Sequence, residues 1–191
     1  MSEDGINILN TVKQMKIIFK DISRLLETVD DLMEKNGWNP AWKTQKNLCL
    51  LQTSTSLKKP HQWMPSEIFR FYKKNDGYKL SFVSILLDDD IDEWYTILEP
   101  LITAGYIKGK EDLTKRLDYG WPRIYGYMGK EEHDGKSVSF KEEIEDAKEK
   151  DNPYAFESGE GFGWPLTSIK NTEDIQNKII IPLIKLLKDN Q

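Results

Sequence analysis

From Ile8 to Met33 the apolar positions are Ile8, Val12, Met15, Phe19, Ile22, Leu26, Val29 and Met33, separated by steps that alternate between four and three. Steps of four and three keep side chains on one stripe of an α-helix, and a rise of 1.5 Å per residue makes that stripe about 39 Å long. With its flanks the helix is expected over 1–36, closed by Lys35-Asn36-Gly37, whose Asn and Gly are ordinary helix stops.

Taken as heptads, Val12, Phe19, Leu26 and Met33 are the a positions, and Ile8, Met15, Ile22 and Val29 the d positions. The g positions Thr11, Ile18, Leu25 and Leu32 are mostly apolar, while the e positions Leu9, Lys16, Ser23 and Asp30 are mostly polar. A two-stranded coiled coil wants charge at both e and g, whereas a broad apolar face suits a helix laid on a sheet or on other helices. Burial within the chain is therefore one reading. Self-association or docking of a partner helix, through residues such as Phe19 and Leu26, is the other.

Beyond the helix, 46–56 reads as a weak strand and 58–65 as a loop broken by Pro60 and Pro65. Ile68–Tyr72 and Tyr78–Leu87 are rich in aromatic and β-branched residues and flank Asp76-Gly77, a favoured hairpin turn. The second of these runs becomes continuously apolar, as a strand at the centre of a sheet does. A helix is expected from Ile91 to about Ala104, capped by Asp88-Asp89-Asp90 and stopped by Gly105, followed by a short strand at Tyr106–Gly109. Pro122–Met128 and Gly161–Ile169 read as further strands. A C-terminal helix starts at Asn171-Thr172-Glu173-Asp174, and Pro182 should kink it or delay its start. Residues 131–160 form an acidic, largely solvated excursion with a helix near 140–150; nine Asp or Glu stand against four Lys between Glu131 and Asp151. The sum is a single α+β domain over 1–191, a mostly antiparallel sheet covered by a long N-terminal helix and a C-terminal helix.

Composition narrows the function classes. The 191 residues are 38% hydrophobic and 31% charged, a soluble balance, and no apolar run reaches the roughly 20 residues of a membrane span. The opening Met1-Ser2-Glu3-Asp4 lacks the basic-then-apolar pattern of a signal peptide. The single cysteine, Cys49, lies in an apolar run and suits a buried thiol. A cytoplasmic location is expected. Only four of the 27 basic residues are Arg, and Ile and Asn are common, the usage of an AT-rich genome, and a bacterial source is expected. The net charge of −5 supplies no global attraction for nucleic acid.

Three sets of residues carry candidate chemistry. Asp88, Asp90, Asp92 and Glu93 are hard oxygen ligands at a strand end, suited to Mg²⁺ or Mn²⁺ in a metal-dependent phosphodiesterase or nuclease; the same acids equally serve as a helix cap. The segment 58–79 has a local charge of +4, and its Lys58, Lys59, Trp63, Arg70, Lys73 and Lys74 combine phosphate-pairing cations with a stacking aromatic. Its blander reading puts the aromatics in the core and the lysines on a guarded sheet edge. Trp38, Trp121 and Trp164 stand beside Gly or Pro, with Trp42 and Trp63 in similar settings, and aromatics in turns anchor interfaces or close a core.

Two histidines and one cysteine cannot build an ordinary zinc site, and neither a phosphate-cradling glycine loop in context nor a nucleophile elbow is present. The leading expectation is a binding or accessory protein without a cofactor that acts through a protein-interaction surface, by a partner or by self-association. A nucleic-acid-associated protein is second and the metal-dependent enzyme third. No membrane partner is expected.

Overall fold

The structure is a computed structural model that describes residues 2–41, 49–51, 55–58, 60, 63–75, 77–88, 97–109, 112–116, 134–139 and 156–190. Helix α1 spans Glu3–Lys35. Ser2 caps it by accepting a hydrogen bond from the Gly5 N–H at 3.2 Å, and Glu3 and Asp4 place negative charge in its first turn. At the other end the Trp38 N–H donates to Met33 O at 3.0 Å and the Gly37 N–H to Glu34 O at 2.9 Å. This closure needs a left-handed residue, which Gly37 supplies at φ 79°, and it folds Trp38 back into the core beside Met33.

Seven described strands form one antiparallel sheet: β1 (Asn39–Pro40), β2 (Cys49–Leu51), β3 (Glu67–Lys73), β4 (Lys79–Leu86), β5 (Leu101–Gly109), β6 (Val138–Ser139) and β7 (Phe156–Pro165). The order is β1-β3-β4-β5-β7-β6, and β2 shares the outer edge of β3 with β1. The expected hairpin is β3–β4, with Phe71 opposite Phe82 and Ile68 opposite Ile85. β4 sits in the middle of the sheet, as its apolar run implied.

One face of the sheet presents Ile68, Tyr72, Val83, Ile85, Ile102, Ala104 and Phe162 to the helices. Against it lie Ile22, Leu26, Val29 and Met33 from α1 and, from the C-terminal helix, Ile175, Ile179, Ile180, Leu183 and Leu187. The other face, with Phe69, Phe71, Leu80, Phe82, Leu86 and Ile107, is buried too; the Phe69 and Phe71 rings meet edge to face at 5.5 Å.

The C-terminal helix, α2, runs as an α-turn (Thr172–Asp174), a π-helical stretch (Ile175–Ile180) and an α-helix (Ile181–Asp189). Asn171 caps its start through a bond from the Asp174 N–H at 2.9 Å. Pro182 was expected to kink the helix or delay its start, yet α2 begins at Thr172. The chain instead widens by one residue ahead of the proline, and the Ile181 N–H reaches back five residues to Gln176 O. Pro182 has no N–H to give and its ring crowds the carbonyl four residues earlier, and a π-turn accommodates both.

Two other expectations are corrected. Leu101–Ala104, expected to finish a helix, begins β5, and Gly105, expected to stop that helix, lies at the middle of the strand; residues 89–96 lie outside those described. Gly105 faces Phe82 across the ladder, and a Cβ there would fall 2.3 Å from Glu160 O and 2.7 Å from the Phe82 ring. Its glycine serves close packing, not termination. The last strand was expected at Gly161–Ile169; β7 starts earlier, at Phe156, and ends at Pro165, where a 3₁₀ turn (Leu166–Ser168) takes over. The strand expected at 122–128 and the acidic helix near 140–150 also lie outside the described residues.

Candidate functional site

The eight-residue stripe of α1 divides into two halves. Ile22, Leu26, Val29 and Met33 are buried against the sheet and α2. Ile8 is 67% exposed and Val12 42%, although both lie on that same stripe. Phe19 is half-buried at the border and packs against the core. Ile6, Leu9, Ile17 and Ile18 are exposed around the same turns, so 3–20 projects beyond the sheet as a helix with apolar residues on most of its circumference. At 1.5 Å per residue this is about 27 Å of helix in which, among the described residues, only Phe19 is packed against the core.

The local sequence does little to hold that projection in helical form. Gly5, Asn7, Asn10, Thr11 and Val12 are weak helix formers. Lys16 and Lys20 stand at i,i+4, where like charges repel. An isolated helix of this length and composition is marginal in water, and helical stability of this kind comes from packing an apolar face.

Where α1 meets the sheet it carries a polar anchor. Arg70 on β3 donates to Asp30 from Nε at 3.1 Å and from Nη2, and the Tyr72 hydroxyl donates to the same carboxylate at 2.7 Å. Burial by itself lowers the pKa of Arg70, but the hydrogen bonds and negative charge of Asp30 outweigh it and hold the guanidinium above its ordinary value. Burial, then the charge of Asp30, pushes the Tyr72 hydroxyl well above 10.0. A second anchor holds α2. Lys79 Nζ donates to Leu187 O at 3.0 Å and to Asn190 O at 3.1 Å and lies 4.6 Å from the centre of the Tyr106 ring. It thereby caps the negative end of the helix. Burial, helped by the nearby charge of Lys108, lowers the pKa of Lys79.

Sequence reasoning missed Asp30 and Lys79, yet a signal for Asp30 existed. Ile68, Arg70 and Tyr72 alternate on one strand face, and a cation on a core-facing position requires a counter-charge from whatever covers it.

The described part of the basic and aromatic segment 58–79 is divided between core and surface. Arg70, a candidate for phosphate contact, is 4% exposed and committed to Asp30. Phe69, Phe71 and Tyr72 are in the core. Lys58 and Lys74 are exposed, and Lys73 is half-buried at the end of β3. Trp63 is exposed, with its indole N–H donating to Ser56 O at 3.0 Å; Lys59 lies outside the described residues.

Of the acidic set, Asp88 follows β4 on the surface and its backbone N–H reaches Ser66 O at 3.4 Å, while Asp90, Asp92 and Glu93 lie outside the described residues. Among the described residues no group of three or more His, Cys, Asp or Glu stands close enough to hold a metal ion. Trp38 is a buried closure of the core. Trp164 lies on β7, under Lys178 Nζ at 5.5 Å and against Gly135; Trp121 is outside the described residues. Among the described helices none is long and apolar enough to cross a membrane.

Compared with protein-family models, with curated proteins and with solved structures, the chain matches none of them.

Proposed function

We propose that this chain is a binding or accessory protein whose working surface is the projecting half of α1, residues 3–20. One observation carries the reading: a stripe that is fully buried at Val29 and Met33 continues without change of spacing to Ile8 and Val12, where it is exposed. A core-forming pattern extended past the core has a use only where something else completes the burial. Burying a side chain of the size of Ile or Val is worth about 1.5–3 kcal/mol. Several such groups on five turns suffice for a specific contact once the cost of association is met.

The anchors support the same role. Asp30 with Arg70 and Tyr72 fixes the rear half of α1 to the sheet, and this holds the front half in a defined direction. A helix tethered in direction at one end loses less entropy on binding than a free segment, even where its exposed turns depend on packing for their stability.

The test compares wild type with Ile8→Asp and Val12→Asp. Both positions are exposed, so the thermal midpoint of the sheet should move little, within about 0.5 kcal/mol of stability for surface substitutions. Association, with a second copy or with a protein captured from cells that express the chain and resistant to nuclease, should be lost in both variants. Association that persists unchanged in both variants, or that disappears on nuclease treatment, would count against this surface and move attention to the cations around 58–74.

A further inference from the structure

We infer that the occupant of this surface is a second copy of the same chain, its 3–20 segment lying antiparallel across the first. This rests on the projecting helix being an interaction surface and names its partner. The argument is the distribution of charge along the projection. Its tip carries Glu3 and Asp4, its root carries Lys13, Lys16 and Lys20, and the eight residues between, 5–12, carry no charge. Among the described residues none of these five charges has an ion-pair partner within the chain.

Two copies laid parallel set tip on tip and root on root, acid against acid and three lysines against three. Two copies laid antiparallel and centred near Val12 bring Asp4 of one level with Lys20 of the other and Ile8 level with Lys16, so each acidic tip meets a basic root. That relation is satisfied twice by one two-fold axis, which is the closed, self-complementary geometry of the commonest dimers. Between the charged ends Val12 meets Val12 of the second copy and Met15 lies level with its Leu9, so the apolar stripe that ends at the core in one chain is continued by the other chain. Opposite charge at the flanks sets orientation more than strength, and the apolar centre holds the pair.

The experiment is sedimentation equilibrium of the purified full chain from 1 to 100 µM at low and high salt. The expected result is a dimer for wild type. E3K/D4K makes both ends of the helix basic and K16E/K20E makes both ends acidic, so each variant should weaken the dimer at least tenfold. All four substitutions in one chain restore the pairing of opposites and should return the dissociation constant to within about threefold of wild type. Val12→Asp, at the centre, should abolish the dimer at every concentration, while circular dichroism of each variant keeps the sheet signal.

A wild type that is monomeric at 100 µM overturns the inference. So does a dimer indifferent to the charge variants, or one tightened by E3Q/D4N, since neutralising the tips relieves repulsion only in a parallel pair. The two levels of the reading fail separately. A monomeric wild type that loses a bound, different protein on Val12→Asp leaves the surface standing and removes self-pairing; a monomer with no such loss removes both.

Discussion

Arg70 and Asp30 are forty residues apart in the chain and joined by two hydrogen bonds, one of them Nε to Oδ1 at 3.1 Å, which tie β3 to the helix that covers it. The Arg70 side chain is 5% exposed and that of Asp30 24%, so the pair sits at the margin of the core, with the charge that is harder to solvate on the inside.

That asymmetry makes the two halves of the pair unequal. Asp30→Ala removes the carboxylate to which a buried guanidinium and the Tyr72 hydroxyl both donate, and breaking a buried pair in this way costs about 3–5 kcal/mol. Asp30→Leu combined with Arg70→Met removes both charges and should recover most of the loss. Urea unfolding of the single and the double variant checks this. A double variant no more stable than Asp30→Ala would show that the pair contributes beyond compensating its own burial.

Alkaline titration reads the same cluster. Burial, then the charge of Asp30, raises the Tyr72 pKa well above 10.0, and burial with the charge of Glu160 raises that of Tyr106. A hydroxyl whose pKa is raised on folding contributes stability that is intact below 10.0 and declines as pH climbs from there through the folded value. Lys79 has the opposite sign: its pKa is lowered on folding, so it adds stability as pH rises toward 10.5, and above that its contribution is constant. The denaturant midpoint should therefore fall above pH 10.5, where only the tyrosine effect remains. Tyr72→Phe should be less stable at pH 8 by about 1 kcal/mol for the lost hydrogen bond and fall less steeply. An equal slope in both proteins above pH 10.5 would exclude Tyr72 as a source.

Two glycines predict contrasting costs. At Gly37 an added Cβ meets only Lys74 Cε, at 3.8 Å, so Gly37→Ala pays for its left-handed φ alone, about 1–2 kcal/mol. At Gly105 the added carbon strikes Glu160 O at 2.3 Å and Gly161 Cα at 2.7 Å, backbone atoms of the neighbouring strand that cannot swing aside. Gly105→Ala must separate β5 from β7 and should cost more than the roughly 1–3 kcal/mol of ordinary overpacking. Parallel thermal melts of the two variants give the ranking.

Lys79→Met keeps the aliphatic stem and removes the two bonds to the last carbonyls of α2. The expected loss is about 1–2 kcal/mol, the sum of helix-end and hydrogen-bond contributions of a half-buried amine. It should be local. Amide exchange should rise in the last turn of α2 and stay unchanged in β4 and β5; uniform acceleration would mean that the bond supports the whole sheet.

Local pattern made much of this architecture legible. Alternating steps of four and three and an Asn-Gly stop made the body and the end of α1 legible, since helix periodicity and end chemistry are properties of neighbouring residues. The β3–β4 hairpin is legible for the same reason: two aromatic, β-branched runs flank an Asp-Gly turn. Gly105 was misread because a glycine after an apolar run has the same local signature whether it ends a helix or admits a neighbouring strand; the carbonyl of Glu160 that distinguishes the two lies 55 positions away. Arg70 was misread in the same manner. A cation among lysines looks exposed until the chain brings Asp30 over it.

What the sequence alone determined is the stripe, its length and its charges, with acid at the tip and lysine at the root. What only the tertiary structure decided is where along the stripe the core stops. Periodicity records that a face is to be buried and is silent on what buries it, because Ile8 and Val29 obey one local rule. The extent of the sheet and the position of α2 are set by contacts between distant segments, and they cover the helix from Ile22 onward and leave the preceding turns exposed.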